Sequence, residues 1–184
     1  MIRPARCGDR DAIREFLDGL SLRTRYLRFF TGAASGGSSL LGVLTGSRGN
    51  IDAVVATENG TIIGHAMAAD VADPGGRHVV EIGVMVADAR QGRGVGSALV
   101  RAVVDRAQCR GATAVAMEVL AENRQVLTMI TKHWPAAYHR HSGVYVTIRA
   151  GMPGDVRAEA PGDVGADVPV GVSAEAPGSL LLAH

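Results

Sequence analysis

Lysine is almost missing from this chain: Lys132 is the only one, and every other cationic side chain is an arginine. That scarcity removes one phosphate-binding reading, because a P-loop ends in Gly-Lys-Ser/Thr and no such triplet is present. Cysteine is nearly as scarce. Cys7 and Cys109 form neither a metal-ligand spacing nor a disulfide framework, so no metal is expected. Both are expected as small buried or semi-buried residues in a reducing compartment. No apolar run approaches the length of a membrane span. The N-terminal "MIRPARCGDRDA" has no signal-peptide core. The expectation is a cytoplasmic protein without a membrane partner. A net charge of +1 gives no bulk argument for nucleic acid.

The 184 residues are 47% hydrophobic and 20% charged, which suits one globular domain plus an appendage. The boundary falls at about residue 150. Residues 151–184 are rich in Ala, Gly, Val, Pro and Asp, repeat "AEAPG", and read as a flexible low-complexity tail. The tail carries five acidic residues and Arg157 alone, which leaves residues 1–150 with 18 basic and 13 acidic side chains. A mildly basic body of this kind suits an anionic ligand.

Within 1–150 the pattern predicts β-α-α-β-β-β-α-β-α-β. A short strand at 2–5 precedes a helix capped by Asp9, with Ile13, Phe16, Leu17 and Leu20 on one face. Ser21 can cap a second helix, "LRTRYLRFF", and "TGAASGGSS" then breaks regular structure. Glu58-Asn59-Gly60 joins two β-rich runs, a strong hairpin signal. "HVVEIGVMV" is the next strand, followed by a helix from about Gly94 to Arg110. "TAVAMEV" is a strand, Asn123 to Lys132 a helix and "GVYVTIRA" the last strand. A hairpin followed by a β-α-β crossover implies a mixed α/β sheet with helices packed on it.

The turn between "HVVEIGVMV" and its helix carries the chemistry. Gly92-x-Gly94 follows a strand and opens a helix, and Glu118 lies about where a dinucleotide-binding ribose acid would. Against that fingerprint, five residues separate the strand from Gly92. The strand also carries Glu81, where a doubly buried parallel strand would be purely apolar. A third kind of pyrophosphate-binding loop fits better. Glycines allow a pyrophosphate close to the backbone, and the first amides and dipole of the helix point at it. Arg90 and Arg93 add positive charge.

Gln91-x-x-Gly94-x-Gly96 resembles the Q/R-x-x-G-x-G/A motif of the GCN5-related N-acetyltransferase (GNAT) superfamily. Three longer segments, "SLRTRYLRFF", "VVEIGVMVADARQGRGVGSALV" and "VLAENRQVLTMI", resemble bacterial protein lysine acetyltransferases of the Pat type. The resemblance covers roughly residues 2–149. It implies a mostly antiparallel mixed sheet flanked by helices, with strands splayed at an acetyl-CoA site. It places the phosphates at Gln91, Gly92, Arg93, Gly94, Val95, Gly96 and Ser97. It places the pantetheine arm along Val84, Met85 and Val86 and at Asn123 and Val126. It makes Glu81 the general base for an attacking amine. Glu81 shares a strand face with Gly83 and Met85, where a carboxylate is costly unless it meets a cleft. The tyrosine that many relatives use to protonate the leaving thiolate is missing, since its place falls near Met129 or Ile130. His65, His78 and His133 are read as surface or packing residues. The implied acceptor is a protein lysine, such as one on an acyl-CoA synthetase. The alternatives are a small amine of antibiotic or polyamine type, or a non-catalytic acyl-CoA sensor.

Overall fold

The computed structural model describes residues 1–30, 38–47 and 49–152. The tail beyond 152, and the part of "TGAASGGSS" before Ser38, lie outside the described residues. The strands are β1 (Ile2–Pro4), β2 (Ile51–Glu58), β3 (Thr61–Val71), β4 (Val79–Val86), β5 (Ala114–Leu120), β6 (Tyr138–Ser142) and β7 (Tyr145–Gly151). The helices are α1 (Arg10–Asp18), α2 (Leu22–Phe29), α3 (Ser38–Leu44), α4 (Val95–Cys109) and α5 (Arg124–His133). The sheet runs β1-β2-β3-β4-β5-β7-β6, and among the described residues its only parallel pair is β4 with β5. The mixed, mostly antiparallel sheet expected from the sequence is therefore present.

Several local expectations hold for the reasons given. Asn59 and Gly60 both have positive φ, 51° and 82°, which the tight β2–β3 turn requires. Ser21 caps α2 by accepting a bond from the Thr24 amide. Asp9 does stand at the N-cap of α1, but its carboxylate does not bond that helix. It is held instead by both Arg3 nitrogens at 2.7 Å and by the Arg6 amide at 2.8 Å.

Three expectations need correction. Helix α3 begins inside the Gly- and Ser-rich stretch, because Leu40, Leu41, Val43 and Leu44 bury against the sheet and outweigh the poor local propensity. Strand β6 was not expected, since "YHRHS" is polar and all five residues are exposed on the sheet edge. Cys7 and Cys109 are both exposed. The first sits in a short turn and the second is the last residue of α4, and neither place is covered by another element.

Two apolar cores lie on opposite faces of the sheet. On one face α4 buries Leu99, Val100, Val103, Val104 and Ala107 against β2–β5 and β7. On the other, α1, α2 and α3 cover β2–β4 with Ile13, Leu17, Phe29, Leu41 and Leu44. At its far edge this layer reaches past β4: α2 contacts β5, and Phe30 packs edge-on against Tyr145 of β7. All five residues of β6 beyond them are exposed.

His65 on β3 is fully buried beneath α3, with Nε2 2.8 Å from the Leu44 carbonyl oxygen and Nδ1 unpartnered. Burial pulls its pKa down to about 4, although the Leu44 bond opposes the shift. The ring is therefore neutral, and Nε2 donates. The unfolded chain takes up this proton near pH 6.5 and the folded chain only near 4. Stability should thus fall as pH drops through that window, by on the order of 3 kcal/mol from this site. Asp9 acts lower down, because Arg3 holds its carboxyl below the usual range. Denaturant unfolding from pH 7 to 4 checks this: His65→Gln, which keeps an N–H donor, should flatten most of the slope.

Candidate active site

Strands β4 and β5 pair only over Val79–Glu81 and Ala114–Ala116, and then separate. Strand β4 stays bonded to β3 through Val86, so only its β5-facing edge is freed. Residues from Ile82 onward thus offer backbone groups to the gap. A cavity of about 590 Å³ occupies the gap. Val84, Met85 and Val86 line one wall and Asn123 and Val126 of α5 the other, with Gly92, Gly94, Gly96 and Ser97 at one end.

That end is the start of α4. Gly92 and Gly94 have φ of +71° and +81°, a conformation that favours glycine and that turns the loop onto the helix axis. The first-turn amides of Val95, Gly96 and Ser97 have no acceptor within the helix. The full dipole of a 15-residue helix stands behind them. Gly96 has no left-handed φ. A Cβ there would make ordinary van der Waals contact with Val86 at 3.6 Å and with the Met129 sulfur at 3.8 Å, on the cavity wall.

A second network ties the loop to α2. Asp88 accepts from the Ser21 amide at 3.0 Å, the Ser21 hydroxyl at 2.6 Å and the Thr24 hydroxyl at 2.7 Å. Desolvation opposes ionisation of Asp88, but these bonds outweigh it and hold its carboxyl low. Gln91 donates to Val86 O and to Thr24 Oγ1, both at 3.1 Å. Its side chain therefore braces the loop against β4 and α2, although the residue also lines the cavity.

The other expected loop residues divide. Val95 turns into the core, while Arg93 is exposed. Arg90 does not serve as a free cation, because Glu58 at the hairpin tip pairs with it through Nε at 2.8 Å and through Nη2. Two cations that the loop motif did not reveal, Arg124 and the lone Lys132, line the cavity from α5. Of the two positions where the resemblance implies a tyrosine, Met129 lines the cavity and Ile130 is buried. The histidines are engaged elsewhere: His78 lies 3.0 Å from Asp70, and His133 packs on Trp134.

Glu81 sits at the inner end of the gap, on the face opposite α4, where the two strands part. It is half-buried, and desolvation raises its pKa while the charge of Arg28 works in the other direction. Register places Ala116 beside Glu81 and Glu118 two residues further along the same face. Burial, and then the charge of Glu81, push the Glu118 carboxyl up, with Arg140 of β6 opposing. Neither Glu118 nor Arg28 was singled out for this site by sequence reasoning. A carboxylate in mid-strand, as at Glu81, was the signal available for Glu118. Arg28 stands in the quoted "SLRTRYLRFF" segment, but nothing there pointed to this site.

A cleft with helix-start amides at one end and a free strand edge along its wall suits an anionic head on an extended arm. That describes an acyl-CoA thioester, and a carboxylate beyond its inner end suits transfer to an amine. The chain belongs to the Acetyltransferase (GNAT) family, which matches it over residues 22–133. It is an acetyltransferase with acetyl-CoA as co-substrate. Among solved structures, the GNAT domain of S. lividans PAT is similar at 23% identity and a TM-score of 0.73, over 82% of this chain and 89% of that one. yncA from Salmonella typhimurium, solved with its cofactor acetyl-CoA, is 19% identical with a TM-score of 0.65, over 87% and 98%. A ribosomal-protein-alanine N-acetyltransferase from Brucella melitensis is 17% identical with a TM-score of 0.66, over 83% and 99%. At these identities the likeness is one of fold. No curated protein matches the chain. Among the described residues no cluster suited to a metal ion occurs.

Proposed function

We propose that this enzyme transfers an acetyl group to the side chain of a lysine displayed on another protein, by direct attack, with Glu81 as general base. The observation that carries the reading is the open face beyond Glu81. There α2 reaches only as far as β5, with Phe30 against Tyr145 of β7, and every residue of β6 is exposed. An exposed edge of this kind suits a protein surface, whereas a small amine calls for an enclosed pocket. The resemblance of three segments to Pat-type enzymes supports the same acceptor.

Each step falls to residues already placed. The start of α4 holds the phosphates, and the free edge at Val84–Val86 extends along the pantetheine arm. Acetyl-CoA supplies an activated thioester. An amide of this edge stabilises the negative charge that develops on the thioester oxygen. A lysine ammonium, with a pKa of about 10.4, must lose a proton before its nitrogen attacks. Glu81, kept basic by desolvation, takes that proton directly or through one water. The amine nitrogen bonds to the acyl carbon, the C–S bond breaks and the thiolate leaves. A thiol of pKa about 8.5 leaves without a dedicated acid, so the lack of a tyrosine at Met129 or Ile130 is no obstacle.

Glu118 gives the acceptor ammonium a second carboxylate on its approach. Arg149, on the same face, is occupied by Asp73 at 3.2 Å, which leaves that approach less positive. Glu118→Gln should raise KM for the amine up to about fivefold, the range for one lost solvent-exposed ion pair. Turnover and donor affinity should change little. Steady-state kinetics with donor and acceptor varied separately measures this, and an unchanged acceptor KM would remove Glu118 from recognition. The acceptor class is tested by offering acyl-CoA synthetases and small polyamines side by side. Saturable transfer to a polyamine, with none to any protein lysine, would reverse the proposal.

A further inference from the structure

Arg28 has no evident use in acetyl transfer. It projects from α2 into the inner end of the donor cavity, and its guanidinium lies against the bare Cα of Gly83. A Cβ at Gly83 would fall 2.1 Å from its Nη2. Its Nε is fully buried without a hydrogen-bond partner. Glu81 is close enough to act on it electrostatically, yet no carboxylate among the described residues comes within ion-pair distance. The ring of Phe29, 5.3 Å away, is its one stacking contact. A half-buried guanidinium whose Nε has no partner is costly. Placed beside the base, it also repels the ammonium the base must receive. Both costs disappear if an anion enters the cavity at this point.

The position identifies the anion. The arm runs along Val84–Val86, and the thioester carbon must lie within reach of an amine held at Glu81. The acyl chain therefore extends toward Gly83, where the guanidinium lies. A carboxylate three carbon–carbon bonds of about 1.5 Å beyond the thioester carbon advances roughly one strand residue, ~3.3 Å. Arg28 is suited to such a group, since its planar fork matches a carboxylate.

We propose that the donor site also takes dicarboxylic acyl-CoA thioesters of succinyl length, with Arg28 as the residue that receives their terminal carboxylate. The chemistry of transfer is unchanged. The deprotonated amine forms the N–C bond, the C–S bond breaks, and the released thiolate gains a proton. The inference rests on the acyl-CoA reading of the cavity, and its test separates the two.

Calorimetry on the full chain with acetyl-, butyryl- and succinyl-CoA needs no acceptor. Butyryl-CoA matches succinyl-CoA in carbon count and lacks only the carboxylate. Succinyl-CoA should bind about 10- to 100-fold tighter than butyryl-CoA, the range for a charge-assisted contact. Arg28→Met should bring that ratio to about one while acetyl-CoA affinity moves much less. Equal affinity for the two four-carbon donors in the wild type overturns the proposal, whether or not the variant folds. So does an equal loss for all three donors in Arg28→Met, which would make Arg28 a positioning residue for Glu81 or the cavity. Failure of every thioester to bind would instead defeat the acyl-CoA reading itself.

Discussion

Glu81→Gln is expected to fold, to bind acetyl-CoA normally and to lose about 10²–10⁴-fold in turnover at neutral pH. Gln keeps the size and the hydrogen-bonding reach while removing the basic lone pair. Donor affinity should survive if, as proposed, the donor is held by the start of α4 and the edge of β4, since Glu81 lies on the opposite face at the inner end of the gap. The pH profile adds a second signature. Desolvation raises the pKa of Glu81 and Arg28 only partly opposes it, so the wild-type rate should fall as acid protonates this carboxylate above the usual Glu range. That acid limb should vanish in the variant. Its residual rate should instead climb at alkaline pH, where free amine becomes plentiful. Single-turnover acetyl transfer across pH, beside calorimetric donor affinity, measures both. Near-normal turnover would remove Glu81 from catalysis, and a loss of donor binding would give it a structural role.

Gly94→Asp should abolish donor binding, by at least about 100-fold. Two effects add. Gly94 has φ +81°, so any side chain there is strained by on the order of 1 kcal/mol. A carboxylate at the N-cap of α4 would also stand beside the phosphates. Like charges about 4 Å apart near a surface repel by about 4 kcal/mol. Charge repulsion therefore outweighs backbone strain, and Gly94→Ala isolates the strain. Nothing lies within 4 Å of a Cβ at this position, so Ala meets only the unfavourable φ. Ala should keep measurable affinity where Asp keeps none. Equal, unimpaired binding by both variants would move the phosphates away from this loop.

What the sequence disclosed depended on how local each signal was. Gly92, Gly94 and Gly96 were legible because the turn and its helix are contiguous. Asn59-Gly60 and the Ser21 cap were legible because each acts within four residues. The exposed "YHRHS" lacked an alternating apolar face, so β6 left no pattern although it pairs fully with β7. Helix α3 was hidden by glycine and serine and is stabilised by burial of its leucines. The site was half visible. Glu81 stood out as a charge in an apolar strand, but its neighbours arrive from elsewhere in the chain. Glu118 comes from a strand across the sheet and Arg28 from a helix 53 residues earlier, so only the fold brings them together. Arg90 illustrates the converse. Read alone it is a phosphate ligand, yet Glu58, brought beside it by the β2–β3 hairpin, takes its charge.

Because β4 and β5 share only three residue pairs, the seven-stranded sheet is mechanically two smaller ones. The β1–β4 block and the β5–β7–β6 block are joined by that short staple and by the core beneath α4, which draws residues from both. The seam between them is where the sheet's own hydrogen bonds resist shear least. A thioester arm lying in the gap would bridge the seam as an extra strand does, so loading the enzyme would also stiffen it. Departure of the product would then relax the join between the blocks, and the platform formed by β5, β7 and β6 would sense whether the donor site is full.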